Sequence, residues 1–337
     1  MHEADRGRVA KVVQFQRYHT LSVIPHSAPA PMPASLMDAL FGDGRACYVL
    51  LDGARVLGLP SMLDRADAKA QSLFRGDSLK NFADAGPWIA QLHPGSRLLD
   101  MLFTASRAPQ HLWGKVNFVL TLTRSEPEPL ITHFRRYIRL RRLDGSVPLF
   151  RFWDGLVLAD YFDGCEPHPQ RAARFFGAQG DEPLITTFLL AGQDPAGLVP
   201  FHLAGPLPPE AQAPDAMLTA VDEQILRNAV DKRIVARVEV QLDQRFAQID
   251  PTQAHKAGSY ARGAMSFIRR FGSGKIGDIE KDCFQLALVA FLLGPSWRAV
   301  SEGPLMRETL VPISQRIALL RESYFAALNS ALPQQEI

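Results

Sequence analysis

The hydrophobic pattern of this chain changes period once, at Pro206-Leu207-Pro208-Pro209. Before that proline cluster, apolar residues come in short runs bounded by Gly and Pro, the pattern of strands alternating with short helices. After it they recur at steps of three and four: Val235, Val238, Leu242, Phe246 and Ile249; Ile276, Ile279, Cys283, Leu286 and Ala290; Leu310, Ile313, Ile317, Leu320, Tyr324 and Leu328. Such spacing buries one face of a helix and does not suit a strand. The pattern predicts an α+β chain: a mixed β-sheet lobe covered by helices over 44–205, then an all-α lobe over 206–337. Residues 1–43 read as an extension, with an edge strand around Val12, Val13 and Phe15 and then Pro25, Pro29, Pro31 and Pro33 interrupting regular structure.

Within the first lobe, Cys47–Leu51 is a short apolar run ended by Asp52-Gly53, a buried strand and its turn. Trp88–Leu92, Val116–Leu122 and Leu184–Leu190 read as further strands. Helices are expected over Ala34–Phe41, over Ala54–Ala70, after Ser96 as N-cap, over Leu130–Tyr137, after Asp154 as N-cap, and from Pro167 to Phe176. Asp144-Gly145, between Tyr137–Leu143 and Val147–Trp153, marks a hairpin.

Composition removes several classes. The 337 residues are 47% hydrophobic and 21% charged, enough for a sizeable core and far from a disordered, collagen-like or disulfide-stapled chain. Lys+Arg number 37 against 35 Asp+Glu, a net charge of +2. The balance holds in each lobe, with 22 basic and 20 acidic groups before residue 206 and 15 of each after it. Bulk charge therefore gives no pull toward nucleic acid or an anionic membrane. Cys47, Cys165 and Cys283 are isolated, as buried free thiols in a reducing compartment would be. Met1–Asp5 carries acids where a signal peptide has basic residues, and Phe284–Gly294 is short of the ~20 residues a membrane helix needs. The expectation is a cytoplasmic protein with no membrane insertion.

Motifs for chemistry are scarce. Gly272-Ser273-Gly274-Lys275 has Arg269 where a phosphate loop needs Gly, and Ile276 where it needs Ser or Thr. No G-x-G-x-x-G, G-x-S-x-G or H-E-x-x-H is present, so no cofactor is implied. Asp52 and Asp154 stand at strand ends, where α/β folds place functional groups, and a metal-dependent hydrolase can use such a pair. Each also fits a plainer role, Asp52 in a turn and Asp154 as a helix cap beside Arg151. Two basic clusters interrupt the neutral background: Arg135, Arg136, Arg139, Arg141 and Arg142, and, further on, Arg245, Lys256, Arg262, Arg269, Arg270 and Lys275. Arg262 and Arg269 are seven apart and share a helix face. Each cluster reads either as a solvated face or as a surface for an acidic protein partner; no nucleic-acid motif accompanies them.

Several strings taken in order resemble one family: Tyr48-Val49-Leu50-Leu51-Asp52-Gly53-Ala54-Arg55, Ser72-Leu73-Phe74-Arg75-Gly76, Gly86-Pro87-Trp88-Ile89-Ala90-Gln91-Leu92, Trp113-Gly114, Phe134-Arg135-Arg136-Tyr137, Asp144-Gly145, Phe150-Arg151-Phe152-Trp153-Asp154 and Phe175-Phe176-Gly177. Their order and spacing over about residues 46–190 resemble the domain of unknown function found in type VI secretion effector adaptors. One departure is Gly155-Leu156, where that family usually has Pro-Arg. The resemblance implies a non-catalytic protein that binds a cognate effector toxin and loads it onto the VgrG spike. It gives the arginines a purpose as partner contacts, Arg135, Arg136 and Arg139 in the first lobe and Arg262 and Arg269 in the second. It leaves Trp88, Trp113, Phe150, Phe152 and Trp153 to the core, with Arg151 and Asp154 as a local pair.

Overall fold

The computed structural model describes residues 14–17, 21–22, 32–192, 197–204, 207–212, 217–272, 276–308 and 310–331. Val12, Val13, Pro25, Pro29, Pro31, Pro206 and Ser273–Lys275 lie outside them. The chain is α+β and divides into two compact units, Met1–Leu226 and Arg227–Ile337.

The strands are β1 (Gln14–Arg17), β2 (Leu21–Ser22), β3 (Ala46–Asp52), β4 (Ala70–Ser72), β5 (Pro87–Leu92), β6 (Val119–Thr123), β7 (Arg141–Arg142), β8 (Ala178–Gln179), β9 (Glu182–Pro183), β10 (Thr187–Leu190), β11 (Gly197–Ala204) and β12 (Met217–Leu218). The helices of the first unit are α1 (Ala34–Phe41), α2 (Leu59–Arg65), α3 (Gly76–Phe82), α4 (Arg97–Phe103), α5 (Pro127–Tyr137), α6 (Gly155–Gly164), α7 (Pro169–Phe176) and α8 (Pro209–Gln212). Eight strands form one sheet in the order β1-β11-β10-β6-β3-β5-β4, with β2 also on β11. Its pairings are antiparallel; the parallel pairing is β7 with β12, outside this sheet.

β3 runs between β5 and β6 and is buried on both faces, which is why it reads as an unbroken apolar run. Period-two alternation sorts its side chains into two cores. Tyr48 and Leu50 join an aromatic-rich core with Leu130, Ile131 and Phe134 of α5, Tyr161 and Phe162 of α6, and Phe175 and Phe176 of α7. Cys47, Val49 and Leu51 join the opposite core with α1, α2 and α4. Both expected N-caps form: Ser96 Oγ accepts from Leu99 N at 3.3 Å, and Asp154 Oδ1 accepts from Leu156 N at 3.0 Å. The helix expected over Ala54–Ala70 is shorter, Leu59–Arg65, and Ala70 already belongs to β4.

The sequence does not mark β11 as a strand, because Pro200 interrupts it. Its register shows how the proline fits: β2 pairs with Gly197 and Leu198 and β1 with Phe201–Ala204, so among the described residues Pro200 has no partner on that edge, while its other edge aligns with Leu189 of β10.

The boundary between units lies at Leu226, not at the proline cluster. Residues 217–226 belong to the first unit because Leu218 and Ile225 enter its aromatic core and Asp222 is fully buried there. Asp222 accepts from Tyr161 Oη (2.6 Å), Arg171 Nη1 (3.1 Å), Arg174 Nη2 (3.1 Å) and the Thr219 backbone N–H and hydroxyl (2.8 Å each). A buried carboxylate persists only with such a full set of donors. Burial disfavours its charge, but Arg174, Tyr161 and Thr219 outweigh that and hold Asp222 below the usual carboxylate range.

The second unit is helical: α9 (Ala220–Ile249), in which the boundary falls, α10 (Ala257–Phe271), α11 (Ile276–Leu293), α12 (Trp297–Ser301), α13 (Pro304–Arg307) and α14 (Ile313–Ala331). The expected stripe is buried at Val238, Leu242 and Phe246 but ends before exposed Ile249; Ile279, Cys283, Leu286, Ile313 and Ile317 complete this core. Leu310, by contrast, is exposed. Phe246 stacks on Phe291 with ring centroids 3.7 Å apart. Arg316 is fully buried and donates to the Met306 and Phe271 carbonyls. All three cysteines are buried free thiols. Among the described residues one helical stretch, Ile279–Ser301, is long and apolar enough by composition to cross a membrane (mean hydropathy 1.4), longer than the apolar run read from the sequence. Its Ile279, Cys283, Leu286 and Ala290 are buried.

His133 on α5 gives the fold a pH dependence. It is buried, and because a carbonyl only accepts, its Nε2 carries the proton donated to Phe175 O (2.7 Å). Burial lowers its pKa to about 4; nearby Arg136 acts in the same direction and the Phe175 bond against it. A folded-state pKa below the unfolded ~6.5 means stability is fully present above pH ~6.5 and is lost as pH falls toward 4. Denaturant titrations should lose on the order of 3 kcal/mol over that interval, and His133→Gln should flatten it. Asp222 adds its own loss only below the unfolded carboxylate pKa, near pH ~4.

Candidate docking surface

Two neighbouring segments of the first unit expose apolar side chains. The first is α3, no residue of which is buried; Leu79 is 36% and Phe82 57% exposed. The Trp88 indole closes its far end, donating to Ala83 O at 2.9 Å. The second is the turn at Asp144-Gly145. Asp144 Oδ1 accepts from Ser146 N at 2.8 Å, Gly145 takes φ +82°, and Arg142 N donates to Ser146 O at 2.8 Å. Leu143 (79%), Val147 (48%) and Leu149 (53%) stand out from it. The two segments touch: Arg139 Nη2 donates to Ser78 Oγ at 2.7 Å, while the Arg139 backbone bridges to Leu149.

The hairpin forms with a shorter ladder than the sequence suggests. Tyr137 is the last residue of α5, with its hydroxyl on Arg174 O at 2.7 Å, and Phe150, Phe152 and Trp153 turn into the aromatic core instead of extending a strand. The regular pair Arg141–Arg142 aligns with Met217–Leu218. Phe152 packs between Phe134 (5.5 Å) and Trp153 (5.3 Å), so the base of the hairpin is anchored while its tip stays in water.

The arginines separate by role. Arg135 is half-buried and turned onto the end of β4, with Nε on Leu73 O (3.2 Å) and Nη2 on Ser72 O (2.9 Å); burial, reinforced by Arg75, lowers its pKa. Arg142 pairs with Glu223 (2.8 Å). Arg139 and Arg141 are exposed beside the apolar tip. Arg136 is exposed and faces a different groove. On α10 of the second unit Arg262 is exposed, and Arg269 is forked onto both carboxylate oxygens of Asp231, which raises its pKa.

Arg151 does not pair with Asp154. Its guanidinium reaches Asp52 instead, 99 residues earlier in the chain, which ties the end of β3 to the segment after the hairpin. Asp52 is buried and also accepts from Ala54 N at 3.0 Å, in the expected turn. A Cβ on Gly53 would lie 2.5 Å from Asp84 O, so only glycine admits that backbone approach. Asp154 caps α6 and accepts from Asn117 Nδ2 at 3.2 Å. Both carboxylates are thus occupied structurally, and among the described residues no group of three or more His, Cys, Asp or Glu can hold a metal. Gly155 also explains the departure from Pro: a Cβ there would lie 2.3 Å from Ala191 O and 2.5 Å from Phe118 O. Trp113 and Trp153 are core, and Trp88 is half-buried against it.

Residues 47–172 match the family model described as a domain of unknown function, DUF4123. No curated protein and no solved structure matches the chain. The matched segment contains β3 from Cys47 on, α3, the hairpin, and both Asp52 and Arg151, and so both exposed apolar segments lie within it. The second unit lies outside it.

The exposed apolar residues were missed in the sequence because α3 and the hairpin tip look like ordinary surface turns; only their exposure distinguishes them. The contrast between Arg135 and Arg141 is measurable. Arg135→Ala should cost about 1–3 kcal/mol, by losing a charged donor to two carbonyls, whereas Arg141→Ala should stay within about 0.5 kcal/mol, both read by urea denaturation.

Proposed function

We propose that this chain is an effector adaptor of type VI secretion. In this reading it captures a cognate effector toxin in the cytoplasm, delivers it to the VgrG spike, and performs no reaction of its own. The DUF4123 match supports it, since that domain occurs in such adaptors. The observation that carries it is physical: Leu79, Phe82, Leu143, Val147 and Leu149 are exposed on two touching segments of the DUF4123 segment, beside Arg139 and Arg141. Scattered surface leucines need no explanation, but neighbouring ones signal a binding face. Phe82 and the two arginines are of the residue types enriched at protein interfaces, and the leucines and Val147 add apolar contact area around them. The favoured partner element is apolar and flanked by acids, and the arginines select it within about a Debye length (~8 Å). The second unit, with Arg262 exposed on α10, is the natural source of specificity for one effector.

Co-purification from the native host tests this. Wild type should bring down a toxin and a spike subunit. The double variant Leu149→Asp/Arg141→Glu should lose at least one of them, with an unchanged unfolding midpoint. Equal recovery by the variant, or wild type emerging alone, would refute the assignment.

A further inference from the structure

A second site lies beside α5, apart from the hairpin face. It is a trough of about 610 Å³, with α5 as one wall and β8 and α8 across from it. The size falls within the range that holds a small ligand or a short peptide.

Its floor and rim differ chemically. The floor is formed by His133 and Tyr137, both buried, with their Nε2–H and hydroxyl committed to Phe175 O and Arg174 O. It therefore offers no free N–H or O–H donor, only the small part of the two rings that reaches the trough. The rim is polar: Glu128, Thr132 and Arg136 follow one another at four-residue steps along α5, facing the amides of Gln179 and Gln212. Glu128 and Arg136 are exposed, and neither has an ion-pair partner among the described residues. An acid in the first turn and a base in the last also complement the helix dipole, which accounts for their places on α5 but not for the trough between them.

The two charges are eight residues apart, about 12 Å along the helix at 1.5 Å per residue. An extended chain rising ~3.3 Å per residue covers that distance in about four residues. We propose that the trough binds a short extended peptide segment of a partner protein, carrying one carboxylate and one cation about four residues apart. The carboxylate meets Arg136, the cation meets Glu128, and the side chains between them are small, because the floor at His133 and Tyr137 is closed. This site does not depend on the adaptor reading, and either can fail alone.

The test uses the full chain and three fluorescein-labelled, end-capped peptides, differing only in the two charged positions four residues apart: Lys with Glu, Lys with Lys, and Glu with Glu. Fluorescence polarisation should show wild type preferring the mixed peptide by about fivefold, the scale of one exposed pair. Arg136→Glu should move the preference to the Lys/Lys peptide, and Glu128→Lys to the Glu/Glu peptide. If Arg136→Glu fails to fold, Arg136→Gln should still abolish the preference for the mixed peptide over Lys/Lys. Equal binding of all three peptides, no binding of any at about 1 mM, or preferences unmoved by the substitutions would overturn the proposal.

Discussion

Strand β3 has no free face, and the first unit is organised around that fact. Paired on both edges and covered above and below, it forces the chain to supply two cores, one from its even and one from its odd positions. Its last residue, Asp52, is buried and must find a cation as well as its own turn donor. It takes Arg151, and so fixes where the chain re-enters the domain after the hairpin. The hairpin tip can remain in water because its base is held by that ion pair and by Phe150, Phe152 and Trp153. Exposed leucines on a loose loop would cost only solubility; on an anchored one they form a preshaped contact.

The same logic separates the arginines. A cluster in sequence is not a cluster in space, because successive positions on α5 face different neighbours. Arg135 turns inward to backbone carbonyls, Arg136 faces the trough, and Arg139 belongs to the hairpin. A charge-reversal series that treats all of them as contact residues would mix stability with binding. Arg269 raises the same problem through its fork onto Asp231, which leaves Arg262 the cleaner probe of the second unit.

Much of the fold was legible. Cys47–Leu51, Trp88–Leu92, Ser96 and Asp154 state their roles through local rules of apolar runs and capping, and the α+β class follows from the change of period. Long-range pairing was not legible. Nothing near Arg151 indicates Asp52 rather than Asp154, since proximity in sequence favours the wrong partner. The Asp222 network left one trace, Thr219 three residues ahead of Asp222 in a capping-box arrangement, but its Arg171 and Arg174 partners come from another helix. Of the candidate site, the arginines were visible as residue types, and the apolar half was not, because exposure is a property of the packed molecule.

The central claim is that α3 and the hairpin tip meet the partner. Hydrogen–deuterium exchange on the full chain, alone and bound to the effector or spike subunit co-purified with it, reads this directly. Backbone amides of residues 76–82 and 139–149 should gain protection in the complex. Protection gained elsewhere, with these two segments exchanging as fast as in the free protein, would contradict it.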